Sequence, residues 1–131
     1  MQRLLMIAGT ALLALTVHAS ADGDPAKGEK VFKKCAACHA VGEGAKNKVG
    51  PVLNGIVDRP FGAIEDYKYS KSLLEVGDGK VWDVETLDVY LIKPKDLIPK
   101  GKMAFAGLKK EDDRANVIAY LAQFNEDGTA Q

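Results

Sequence analysis

The feature that most constrains this chain is a five-residue run, Cys35-Ala36-Ala37-Cys38-His39, which holds both of its cysteines and one of its two histidines. Four chemistries compete for such a run. A structural disulfide would close only a two-residue gap, and so would stabilise little by loop entropy, and it needs no adjacent histidine. A thioredoxin-like redox pair wants the motif between a strand and a helix, and no Val/Ile-rich strand precedes it. Zinc wants about four Cys, His or carboxylate ligands, and a further histidine or cysteine pair is missing. Covalent haem attachment uses every residue of the run: two thiols at this spacing bond the two vinyl positions, and the next side chain falls under the iron with an imidazole nitrogen.

The start of the chain sets the compartment. Arg3 is followed by an apolar run from Leu4 to Val17, and Ala19-Ser20-Ala21 matches a small-x-small cleavage site. This reads as a secretory signal peptide over residues 1–21, too short for a comfortable membrane span. The exported domain is then residues 22–131, in a compartment that permits thioether and disulfide chemistry. A chain of 131 residues with 18 basic and 18 acidic side chains is one ordinary domain, without the basic excess that a nucleic-acid binder needs. His18, Met1 and Met6 leave with the signal, so the domain retains His39 and Met103 as its single histidine and methionine.

With one histidine spent, the opposite face of an iron falls to Met103, a lysine, water or an exogenous molecule. Met103 is the strongest candidate. It lies in Ile98-Pro99-Lys100-Gly101-Lys102-Met103-Ala104-Phe105-Ala106-Gly107, bracketed by proline and glycine, which suits a loop over a cofactor face better than a helix interior. If both residues ligate, no iron position is open to substrate, and the chemistry left is the passing of single electrons rather than catalysis.

The rest reads as helices and loops with no convincing strand. Asp24-Pro25 opens a helix to about Lys34, and residues 40–61 read as loop. A short helix spans about Tyr69 to Val76. Another runs from Asp83 to about Ile92, where Pro94 stops it, with Leu87, Tyr90 and Leu91 on one face. The last begins at Glu111-Asp112-Asp113 and places Val117, Tyr120, Leu121 and Phe124 on one stripe before Gly128 ends it. Phe32 and Val31 supply a partner for that stripe, with Gly28 allowing close approach.

In this order and spacing the residues resemble the class I cytochromes c, the small family of mitochondrial cytochrome c and its bacterial periplasmic relatives. The resemblance covers nearly the whole exported domain. It rests on Gly28-x-x-x-Phe32-x-x-Cys35-x-x-Cys38-His39, Gly50-Pro51-x-Leu53-x-Gly55 with Arg59, and Tyr67-x-Tyr69. It continues through Trp82 to Tyr90-Leu91 and Pro94-Lys95, Ile98-Pro99, Lys102-Met103-x-Phe105-x-Gly107, and Arg114-Ala115 with Ala119-Tyr120-Leu121.

The resemblance implies an all-α cytochrome c fold, several helices and long loops wrapped around one haem c attached through Cys35 and Cys38. It implies that the Pro51 carbonyl accepts from the proximal His39, that Arg59, Tyr69 and Trp82 meet the inner haem propionate, and that Tyr90 lies beside the sulfur of Met103. Tyr120 reads as plain core packing. Two departures stand out: Tyr69 to Trp82 is two residues longer than the mitochondrial pattern with Leu73 at an asparagine position, and Gly101 replaces a usual threonine. The implied function is a monomeric periplasmic electron carrier, not an enzyme, with no nucleic-acid partner and no stable membrane insertion once the signal is cleaved. It would run between a quinol-oxidising complex or periplasmic dehydrogenase and an oxidase or reaction centre. Lys93, Lys95, Lys100, Lys102, Lys109 and Lys110, with Lys33, Lys34, Lys46 and Lys48, read either as a lysine-lined haem edge for redox protein partners or as an ordinary solvated face.

Overall fold

Asp24 and Pro25 begin the first helix as expected, because the Asp24 carboxylate accepts from the Ala26 and Lys27 amides and proline needs no partner at the first turn. The computed structural model describes residues 22–131, so the predicted signal peptide lies outside the described residues. The elements in order are α1 (Pro25–Phe32), α2 (Lys71–Val76), α3 (Val84–Ile92), α4 (Pro94–Leu97) and α5 (Glu111–Leu121). No strand forms among the described residues; Pro60 with Val81, and Phe124 with Ala130, make isolated bridges. The fold is all-α with long irregular connections, as expected.

The most extensive helix–helix contact joins α1 to α5. Gly28 makes it possible, because a β-carbon there would overlap the Asn116 carbonyl of α5. Phe32 packs on Tyr120 with ring centroids 5.4 Å apart, and Tyr120 in turn meets Phe124 at 5.2 Å, which is the packing role expected of it. Val117, Ile118 and Leu121 fill the core beneath, each worth about 1.5–3 kcal/mol of apolar burial.

Boundaries differ from expectation in four places, each for a local reason. Helix α1 ends at Phe32, two residues before the expected Lys34, because the Lys33, Lys34 and Cys35 amides donate three residues back and tighten the chain into turns. Helix α2 starts two residues late because the Ser70 hydroxyl accepts from Leu73 N–H and caps it. Pro94 ends α3 but also opens α4, since proline fits the first position of a new turn. Helix α5 ends at Leu121, ahead of Phe124 and Gly128, because the chain turns back and Gln131 N–H donates to the Gln123 carbonyl. The α5 stripe reading also passed over Arg114, which is buried, donates to the Leu108 and Lys109 carbonyls and pairs with Asp88 at 2.7 Å.

Candidate functional site

The Cys35–His39 run is folded by the turns that follow α1. Cys35 and Ala36 amides donate to the Phe32 carbonyl, and Cys38 and His39 amides donate to that of Cys35. This coil leaves Cys35 half-buried and Cys38 exposed, and buries His39. Burial pushes the Cys35 thiol up from its ordinary value, against the opposing field of Lys34.

Beside this run the segment from Gly50 onward is tied rung by rung. Gly50 N–H donates to the Cys38 carbonyl at 2.8 Å, and Leu53 N–H to that of Ala40 at 3.1 Å. Between these rungs His39 Nδ1 meets the Pro51 carbonyl at 2.7 Å. A carbonyl can only accept, so Nδ1 carries the proton and Nε2 presents its lone pair. Burial lowers the His39 pKa, with the Pro51 bond opposing, so the neutral imidazole of a metal ligand is favoured. Gly50 lies against the ring, where any β-carbon would overlap it.

The segment that follows α4 carries Met103. Tyr90 of α3 donates its hydroxyl to the Met103 sulfur at 3.3 Å. Burial raises the Tyr90 pKa to about 12, so it stays a phenol and a donor. Leu108 N–H donates to the Leu91 carbonyl and Gly101 N–H to that of Ile98, which fixes both ends of the segment. A β-carbon at Gly101, where a threonine was the family expectation, would sit 3.1 Å from Ile98 Cγ2, a tight contact that Ile98 would have to yield to.

Arg59 is 7% exposed and donates from Nη1 to the Val52 and Asn54 carbonyls, while its Nε is the one buried side-chain polar atom without a hydrogen-bond partner among the described residues. Burial pulls the Arg59 pKa down, and Tyr69 and Glu126 act the other way. Trp82 N–H donates to the Arg59 carbonyl, bringing those two residues together, and the Tyr69 hydroxyl accepts from Ile64 N–H at 3.1 Å. Trp82 lies 4.9 Å from Tyr90, ring to ring. Leu73 is half-buried against the core.

Two neighbours of these groups escaped sequence reasoning. Phe61 stacks on Trp82 with centroids 3.6 Å apart, and an aromatic in a Gly/Pro-rich loop was its only sequence signal. Asn54 is 6% exposed and pairs through both amide atoms with Gly42, whereas an Asn-Gly dipeptide ordinarily reads as an exposed turn.

The assembled donor set is a neutral imidazole, a thioether, two thiols at a two-residue spacing, and a buried guanidinium N–H lacking an acceptor. It fits a haem: nitrogen and sulfur for the iron, thiols for the vinyls, and an unsatisfied cationic donor for a carboxylate. The described chain contains no helix long and apolar enough to cross a membrane.

The chain is similar to known proteins along most of its length. The family model described as cytochrome c matches residues 25–125. A cytochrome c-550 of Ancylobacter novellus is 58% identical over 106 residues, 80% of this chain and 99% of the relative. A cytochrome c2 of Agrobacterium tumefaciens (strain II Chrys) is 54% identical over 101 residues, 76% of this chain and 91% of the relative. The solved structure of cytochrome c2 from Rhodospirillum centenum superposes with a TM-score of 0.74 at 42% identity, covering 79% of this chain and 99% of that one.

Proposed function

The chain belongs to the cytochrome c family, electron carriers that hold a haem c covalently, and we propose that this member is a periplasmic one-electron shuttle with His39 and Met103 as axial ligands. On this reading residues 1–21 are cleaved as a signal peptide, and the single haem is bonded to Cys35 and Cys38. The observation that carries the ligation is the 2.7 Å contact from His39 Nδ1 to the Pro51 carbonyl, because it frees Nε2 on a buried neutral ring.

The bound haem supplies a reversible one-electron change at its iron. The chain's residues do the rest. Pro51 orients the imidazole; Tyr90 holds the methionine sulfur by its hydroxyl; Arg59, with Tyr69 and Trp82 beside it, provides the donor for a buried carboxylate. His39 and Met103, both holding the iron, would keep water and small molecules from the metal, so that no substrate would be transformed.

The proposed carrier is a monomer that meets acidic redox partners through its lysines, taking electrons from a quinol-oxidising complex or periplasmic dehydrogenase and giving them to an oxidase or reaction centre. All ten lysines of the rim are exposed. Two are held in place by backbone: Lys48 donates to the Ala36 carbonyl, beside the cysteines, and Lys102 to that of Lys68, each at 2.6 Å. Anchored cations next to the two ligand segments suit electrostatic steering.

A spectrum of the exported protein tests the reading. The oxidised form should be low-spin with a sulfur-to-iron charge-transfer band, and the reduced form should not bind carbon monoxide at neutral pH. Rapid binding would mean an open sixth position and a haem enzyme or gas sensor instead. Intact mass should equal residues 22–131 plus one haem, and gel filtration should give a monomer.

A further inference from the structure

Asn54 lies where three stretches of chain meet. Its Oδ1 accepts from Gly42 N–H at 2.8 Å and its Nδ2 donates to the Gly42 carbonyl at 2.9 Å, adding a third rung to the pairs Gly50–Cys38 and Leu53–Ala40. The following amide, Gly55 N–H, donates to the Phe124 carbonyl at 3.0 Å, at the start of the C-terminal turn. That turn is itself braced. Asn125 N–H donates to the Thr129 carbonyl, and the Asp127 carboxylate accepts from Thr129. Gly128 packs so closely on the Gly42 carbonyl that a β-carbon would overlap it.

With its side chain held by Gly42 and its next amide held by Phe124, the peptide of Asn54 has little freedom left, and its carbonyl is turned to Arg59 Nη1 at 3.2 Å. The guanidinium has one other carbonyl acceptor, Val52, at 2.9 Å. Two fixed acceptors on Nη1 set the direction of the unpartnered Nε. Building on the functional reading above, in which Nε serves a haem carboxylate, we infer that Asn54 is the positioning residue for Arg59, fastening the Arg59 acceptor to the His39 loop and to the C-terminal turn.

A cation held near the iron disfavours the oxidised form, so loosening it lowers the reduction potential. Side-chain loss at a purely structural site would lower stability and leave the potential of the folded protein where it was. The test is a double-mutant cycle on the haem-loaded full chain: Asn54→Ala, Arg59→Gln and both together, with potentials measured well below each melting temperature. The expected result is a downward shift for Asn54→Ala in the parent that disappears in the Arg59→Gln background. Should Asn54→Ala fail to accumulate, Asn54→Ser, whose hydroxyl can keep one Gly42 bond, is expected to give a smaller shift of the same sign.

An unchanged or raised potential in the position-54 variant, alongside a shift in Arg59→Gln, would overturn the inference. So would equal shifts from Asn54→Ala in both backgrounds. If Arg59→Gln itself leaves the potential unchanged, the role given to Arg59 fails instead.

Discussion

Replacing Arg114 by methionine tests what holds the methionine segment to the helical core. The Arg114 side chain is 9% exposed and makes three bonds: to Asp88, which is 39% exposed, to the Leu108 carbonyl, which is buried with it, and to the Lys109 carbonyl. Methionine fills much of the same volume but leaves both carbonyls without a donor. A buried acceptor that loses a charged donor costs about 1.5–3 kcal/mol. The Asp88 pair adds less than about 1 kcal/mol, because Asp88 can turn to water. Arg114→Met should therefore cost about 2–4 kcal/mol, which for a domain of this size lowers the melting temperature by about 8–16 °C. Asp88→Asn should cost under about 1 kcal/mol. Urea unfolding of the haem-loaded protein, followed by circular dichroism, measures both. Equal losses from the two variants would show that the ion pair, and not the carbonyl bonds, is what Arg114 supplies.

Other outcomes are accessible to simple assays. Met103→Ala should keep the haem attached yet lose the sulfur-to-iron band and gain carbon monoxide binding; an unchanged spectrum would place another ligand opposite His39. Reaction with an acidic redox partner should slow as salt rises, and a flat dependence would return the lysines to ordinary surface charge. Hydrogen bonding from Thr86, through its side chain and then its N–H, holds the Asp83 carboxyl below its usual pKa, so its stabilisation is present above the ordinary carboxylate value and is lost as pH falls through the lowered one. Asp83→Asn should accordingly flatten the acid limb of stability measured by urea midpoint. Helix α2 has no buried residue, so its amides should exchange with solvent before those of α1 and α5.

Local chemistry made much of this fold legible. Asp24-Pro25, Asp83 and the acidic start of α5 announce helices through their own caps and charges, and Gly28 gave away the α1–α5 contact because close approach leaves few alternatives to glycine. What stayed hidden depends on partners distant in sequence. Phe124 fits the α5 stripe by spacing, yet its carbonyl is taken by Gly55 and the chain leaves the helix three residues earlier. Arg114 reads as a surface charge until Asp88 and two carbonyls are brought to it. The histidine and cysteines announced themselves by spacing, whereas Asn54 could not, since an Asn-Gly step signals a turn and says nothing of Gly42 twelve residues before.

The proposed ligands both lie outside helices, which looks unfavourable for a carrier, because loops ordinarily move and movement between oxidation states slows electron exchange. The bonding resolves the difficulty. His39 sits between rungs that join Cys38 to Gly50 and Ala40 to Leu53, and Met103 lies in a segment tied to Ile98 at one end and Leu91 at the other. Each side chain is then oriented by one directed bond, His39 donating to the Pro51 carbonyl and Tyr90 donating to the Met103 sulfur. Irregular backbone lets two segments far apart in sequence serve one site, where His39 and Met103 would hold the iron. Backbone rungs then restore the stiffness that leaving the helix gives up. On the proposed ligation, substitutions at these loop hydrogen bonds should alter redox behaviour more than those on the α1–α5 contact, which should act mainly on stability.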